Sequence, residues 1–212
     1  MITLQLISCR CFFLSAACNV WIVGDSYVRR GEQHARKTMG INLGVSARIQ
    51  WIGKGGLCWD GLLPFFYRCL RGRKAPDVLV IHCGGNDLGR VKSVMLLKAM
   101  KRDLDELHRQ FPQMKIMLSS INQRRHWRHA PAGKMDKARK FVNNVMATFV
   151  VCVNGRTISH PHLVFDKPGL YLSDKGQWHI FKVSCPGSER PCIVKYWRYF
   201  FLPLCSVSQG TW

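Results

Sequence analysis

The chain has 212 residues, 47% of them apolar, which excludes a disordered polyelectrolyte and suffices for one α/β domain with segments left over at both ends. Its charge is lopsided, 32 Lys and Arg against 12 Asp and Glu, so polyanions such as nucleic acid or an anionic membrane surface are the partners that charge alone favours. No uninterrupted apolar run of about 18 residues occurs, which excludes a membrane-spanning helix. The ten cysteines include no two pairs at zinc-ligand spacing.

Residues 1–18, MITLQLISCRCFFLSAAC, form an apolar leader ending in small residues. It resembles a short signal peptide, yet Met1 is followed by no Lys or Arg, and Arg10 interrupts the run. The cysteine pattern favours a reducing compartment, so an intracellular protein, cytoplasmic or nuclear, is expected, with secretion as the alternative. Four strand-like runs follow: NVWIVG (19–24), ARIQWIG (47–53), DVLVIHCGG (77–85) and KIMLSSI (115–121), each bounded by turn residues. Cys58, Cys69 and Cys83 fall in segments that read as buried helix or strand, where cysteine acts as a small hydrophobe.

Between the runs lie helical patterns. Leu97, Met100, Leu104, Leu107 and Phe111 recur at helical spacing on a helix that ends before Pro112. Ala138, Phe141, Val142, Val145 and Phe149 form a second such face. Strand–helix alternation with short connections predicts a parallel sheet covered by helices on both faces, a three-layer α/β/α sandwich over residues 19–181. In such sheets functional groups gather beyond the carboxyl ends of the strands. Residues 182–212 carry no clean period and read as an appendage.

Three polar clusters fall at predicted strand ends. In VGDSYV, Ser26 stands on a strand-to-helix turn, where a serine either caps the helix or presents its hydroxyl to a substrate. Val28 occupies the place of the second glycine of G-x-S-x-G, which argues against the α/β-hydrolase elbow. GKGGLCWDG follows the second strand, with glycines that permit close backbone approach to a ligand. CGGND follows the third, and the Asn86 amide there is a candidate oxyanion donor, a role worth about 2.7–4 kcal/mol where such donors have been removed.

GDS at 24–26, GKGG at 53–56 and GGND at 84–87, in this order, resemble the SGNH (GDSL-type) hydrolases. The resemblance covers roughly residues 19–181 and implies a flavodoxin-like parallel sheet. It implies Ser26 as nucleophile, and an oxyanion hole of the Ser26 N–H, the Gly55 N–H (Gly56 being the near alternative) and the Asn86 side chain. It further implies hydrolysis of a small acyl or acetyl ester through an acyl-serine, with no metal or nucleotide cofactor.

The fourth block of that pattern, D-x-x-H, is missing. Aligned on LSDKG (172–176), it puts Pro168 at the Asp position and Tyr171 at the His position. Proline has no acid group, and a tyrosine with pKa near 10 is a poor base at pH 7. A serine without a base is a weak nucleophile, so the expectation is an impaired esterase or pseudoenzyme. The residual catalysis expected is at best about 10³–10⁴-fold over water. His162, with Asp166 four residues on as orienter, is the best remaining candidate base; His160 and His179 are weaker, and His82 reads as a wall residue inside the third strand. A hypothesis that fits the letters is an ancestral GLYLSDGVHLSDKG that lost one DGVHLS between its two LS units. Sequencing the locus and independent transcripts tests this slippage or mis-splicing, and an intact frame lacking those six codons everywhere would sink it.

Basic clusters RRGEQHARK (29–37), RGRK (71–74), QRRHWRH (123–129) and KARK (137–140), the third interleaved with Trp127, suit weak, sequence-independent binding of phosphate backbones. The competing expectation is therefore a non-catalytic SGNH-like module that binds nucleic acid or a protein partner through its basic surface. Similar domains occur inside retroelement-encoded proteins.

Overall fold

The structure, a computed structural model, describes residues 18–38, 40–44, 47–124, 127, 131–159, 182–184 and 191–193. Five parallel strands form the sheet: β1 (Cys18–Gly24), β2 (Ala47–Gly53), β3 (Val78–His82), β4 (Lys115–Ser119) and β5 (Arg156–Ile158). Their order is β2-β1-β3-β4-β5, the doubly wound flavodoxin-like arrangement. Among the described residues four α-helices cover it: α1 (Ser26–Thr38), α2 (Leu62–Leu70), α3 (Ser93–Gln110) and α4 (Ala132–Cys152).

The central strands β1 and β3 are buried on both faces, which is why they read as continuous apolar runs and not as alternations. Trp21 and Val23 join Leu79, Ile81, Ile116 and Leu118 in a large cluster against α2, α3 and α4. Val20 and Ile22 point the other way, into a second cluster with Val28 and Ala35 of α1. Two cores on opposite faces of one sheet make the three layers that the alternation predicted. The edge strand β2 is only partly covered, and there the sequence does alternate.

The α3 stripe is as expected through Leu97, Met100, Leu104 and Leu107, with Phe111 just beyond the helix. One polar residue interrupts it. Asp103 is 2% exposed and its Oδ2 accepts the indole Nε1–H of Trp59 at 2.9 Å. That bond fixes the turn Trp59–Gly61, and with it the loop after β2. Asp103→Ala would leave a buried indole N–H without an acceptor, so a loss of about 1–3 kcal/mol is expected. Urea unfolding should show a lower midpoint at unchanged slope.

Two expectations need correction, and two elements were not foreseen. On α4 the buried track is Met135, Val142, Met146 and Val150, with Ala138, Val145 and Phe149 packed beside it. Phe141 is instead 49% exposed, because it stands one residue, about 100° of helix, off the track through Val142. Cys58 lies in the loop before the turn and not in a helix or strand; Cys69 and Cys83 are placed as read, in α2 and directly after β3. The fifth strand was not expected: at three residues, Arg156–Ile158 is too short to carry a period. Within the tail, Lys182–Ser184 and Pro191–Ile193 pair as an antiparallel ladder separate from the main sheet.

No helix among the described residues is long and apolar enough to cross a membrane.

Candidate active site

The register of the three strands β2, β1 and β3 sets the site. Gly24 is level with Gly53 on one side and with His82 on the other, so three loops leave the sheet at the same height. Between β1 and β3 the order of strands reverses direction, which opens a crevice at their carboxyl ends.

Hydrogen bonds stitch these loops together. The Lys54 N–H donates to Gly24 O at 2.9 Å, and the Asp25 N–H donates to His82 O at 3.2 Å. Asp25, 1% exposed, accepts the Tyr27 N–H on Oδ1 at 2.9 Å and so caps the first turn of α1. Ser26 therefore does not serve as the cap. It is the first residue of α1, half-buried, and its Oγ accepts a hydrogen bond from Arg30 Nη2 at 3.0 Å, one helical turn on.

In the second loop, the Leu57 N–H donates to Lys54 O at 3.3 Å, closing a tight turn with Gly55 and Gly56 at its centre. Gly56 has φ +69°, a left-handed conformation that demands glycine. Gly55 is exposed, and a Cβ there would meet nothing within 4 Å. In the third loop, Asn86 Nδ2 donates to Leu57 O at 2.9 Å and leans on Asp25 Oδ2 at 3.5 Å. The amide is thus held between the first and second loops. Asp87 beside it is spent structurally, its buried Oδ2 accepting the Trp59 N–H at 2.9 Å. Burial raises the Asp87 pKa. Cys58, Asp60 and Asp87 bring ligand atoms within 4.8 Å of one another, but Asp60 pairs with Arg90 at 3.4 Å and Asp87 holds the Trp59 amide.

The residue that sequence reasoning placed elsewhere is Arg124. It was read as part of a basic patch. In the structure it lies in the loop after β4, its side chain 22% exposed, with Nη1 donating to Asn86 Oδ1 at 3.3 Å and Nη2 3.6 Å from Asp25 Oδ2. Its guanidinium lies 5.3 Å from the ring centroids of both Tyr27 and Trp127. Gly85 makes the room, since a Cβ there would come within 2.6 Å of Arg124 Nη2. The one available signal was position, a few residues past a strand end on the carboxyl side of the sheet.

His82 is buried at the end of β3 and its Nδ1 is 2.8 Å from Ser119 Oγ, with the Tyr27 ring edge-on at 5.4 Å. Burial lowers its pKa, Asp25 opposes that, and Arg124 adds to it. It is a wall residue directed at Ser119. Among the described residues, the hydrogen-bond partner of the Ser26 hydroxyl is a guanidinium and not an imidazole. His160, His162, Asp166, Pro168, Tyr171 and His179 lie outside the described residues.

No protein-family model matches the sequence, and no curated protein matches it. Solved structures do match the fold. A GDSL-like lipase from Bacteroides thetaiotaomicron aligns at TM-score 0.54 and 15% identity, over 69% of this chain and 71% of its own. A protein from Streptococcus pneumonia named for platelet activating factor aligns at 0.53 and 20%, over 69% and 68%. A member of the lipolytic G-D-S-L family from Veillonella parvula aligns at 0.52 and 15%, over 68% and 78%. The fold is that of the SGNH, or GDSL-type, hydrolases.

Proposed function

We propose that this chain is a GDSL-type serine ester hydrolase of low turnover, acting on small acyl or acetyl esters through an acyl-serine on Ser26. The observation that carries the reading is the register of β1, β2 and β3. It brings GDS, GKGG and GGND to one crevice and joins them through Lys54–Gly24, Asn86–Leu57 and Asn86–Asp25. In this reading the Ser26 Oγ attacks the ester carbonyl, and the Ser26 N–H, the Gly55 N–H and the Asn86 amide stabilise the oxyanion. Asn86 would exchange its weak 3.5 Å contact with Asp25 for the substrate oxygen while keeping its bond to Leu57.

Low turnover follows from the partner of Ser26. A guanidinium donates hydrogen bonds and never accepts a proton from the serine, so Arg30 stabilises an alkoxide without generating one. With no acceptor for it among the described residues, in this reading the proton leaves to hydroxide or water. With p-nitrophenyl acetate as substrate, kcat/KM should rise by about tenfold per pH unit between pH 6 and pH 9, with no plateau. A plateau above an apparent pKa near 6.5 would mean a histidine base. If that plateau disappeared in His162→Ala and in Asp166→Ala, the base would be His162 oriented by Asp166, and the site would be a competent one. Mass spectrometry of the peptide containing Ser26 should find an acetyl adduct during turnover, and its absence would remove the acyl-serine.

A further inference from the structure

We propose that the crevice selects esters that carry a negative charge, and that Arg124 is the residue that binds that charge. The proposal rests on the ester-hydrolase reading of the same site and names its substrate class. Two guanidinium groups lie against Tyr27, the residue after the candidate nucleophile: Arg30, 4.9 Å from its ring centroid and hydrogen-bonded to Ser26 Oγ, and Arg124, 5.3 Å from that same ring. Among the described residues, the carboxylate beside Arg124 is Asp25. Its Oδ1 is committed to the Tyr27 N–H at 2.9 Å, and its Oδ2 stands 3.6 Å from Arg124 and 3.5 Å from Asn86, both beyond ordinary charged hydrogen-bond length.

Arg124 is therefore positioned but not saturated. Its bond to Asn86 is 3.3 Å, its contact with Asp25 is longer still, and its Nε has no hydrogen-bond partner among the described residues. Tyr27 and Trp127 hold the guanidinium plane by cation–π contact, which limits its conformational freedom without using its donors. Glycine at 85 admits it against the loop that presents Asn86. A fixed fork of N–H donors, partly dry and next to an oxyanion donor, suits a carboxylate or phosphate oxygen of a substrate.

The test uses a matched pair of aryl acetates, 4-acetoxybenzoate and its methyl ester, which differ in charge at one site. The full-length protein should hydrolyse the anion with a kcat/KM about 10- to 100-fold above that of the methyl ester. In Arg124→Gln that ratio should fall to near unity through a rise in KM for the anion, and Arg124→Lys should restore part of it. A merely structural role for Arg124 would lower both substrates together and leave the ratio alone. A ratio near unity in the unmodified protein, or one unchanged in Arg124→Gln, overturns the proposal while leaving ester hydrolysis intact.

Calorimetric titration of the product 4-hydroxybenzoate into Ser26→Ala separates the two readings. Binding there that is lost in the Ser26→Ala/Arg124→Gln double variant sustains the anion site even if no turnover is found. No binding and no charge selectivity ends it. Should Arg124→Gln fail to fold, the Arg124→Lys ratio and competition by inorganic sulfate against 4-acetoxybenzoate give the same decision. Inhibition confined to the methyl ester would count against the site.

Discussion

Ser26→Ala is expected to reduce p-nitrophenyl acetate hydrolysis by about 100-fold, the lower end of what a positioned catalytic group supplies. The reasoning starts from one hydrogen bond. With Arg30 donating to it, the Ser26 hydroxyl is oriented and its alkoxide is electrostatically stabilised, but nothing among the described residues takes its proton. In the proposed reading, positioning and oxyanion stabilisation then act without general-base assistance from the described residues. The substitution removes the acceptor of a half-buried hydrogen bond, so stability should change by no more than about 1 kcal/mol. Loss of turnover in a protein that melts where the parent melts assigns the chemistry to Ser26. Equal rates for the two proteins would end the esterase reading, because hydrolysis would then owe nothing to the serine.

Gly24→Ala should be the most destructive single-methyl change near the site, and its effect should be on folding. Gly24 ends β1 between Gly53 and His82, with neighbours on both sides in register. A Cβ there would overlap the His82 carbonyl oxygen and come within 2.8 Å of Val28 Cγ2. The carbonyl is backbone in a strand and has nowhere to go without breaking its bond from the Asp25 N–H. A cost of about 3 kcal/mol or more is expected, at the upper end for overpacking. Gly55→Ala is the contrast: with nothing within 4 Å of its Cβ, it should alter stability by no more than about 1 kcal/mol, the range of a Gly-to-Ala backbone effect. Denaturant melts of the two variants side by side check the pair. Comparable losses would mean that the close approach at Gly24 does not set the strand spacing. The glycine of GDS is thus required by the packing of β1 against β3.

Much of the fold was legible because the central strands are apolar on both faces and the helices repeat at 3.6 residues. β1, β2, β3 and β4 stand within a few residues of the runs that announced them, and the α3 stripe is buried as its spacing required. Where the reading slipped, competition between neighbouring tracks explains it. Phe141 is as apolar as Val142, and only packing against the sheet decides which of two adjacent residues faces inward. The short β5 carries no period to read.

The site divides the same way. By itself the sequence determined which residues leave each strand: Ser26 after the first, Gly55 and Gly56 after the second, Asn86 after the third. Those positions follow from local signals, since a strand end is marked by its own glycines and turns. It also determined that no D-x-x-H stands ahead of LSDKG, where Pro168 and Tyr171 take the Asp and His positions, because absence of a motif is a property of the letters. Only the tertiary structure decided that Asp25 is the cap of α1, that Arg30 turns back onto Ser26, and that Arg124 is drawn out of a basic run into the crevice. Contacts such as Arg124 with Asp25, across most of the sheet in sequence, depend on strand order and register. Those are fixed by how two cores pack on opposite faces of β1 and β3, and no local pattern along the chain encodes them.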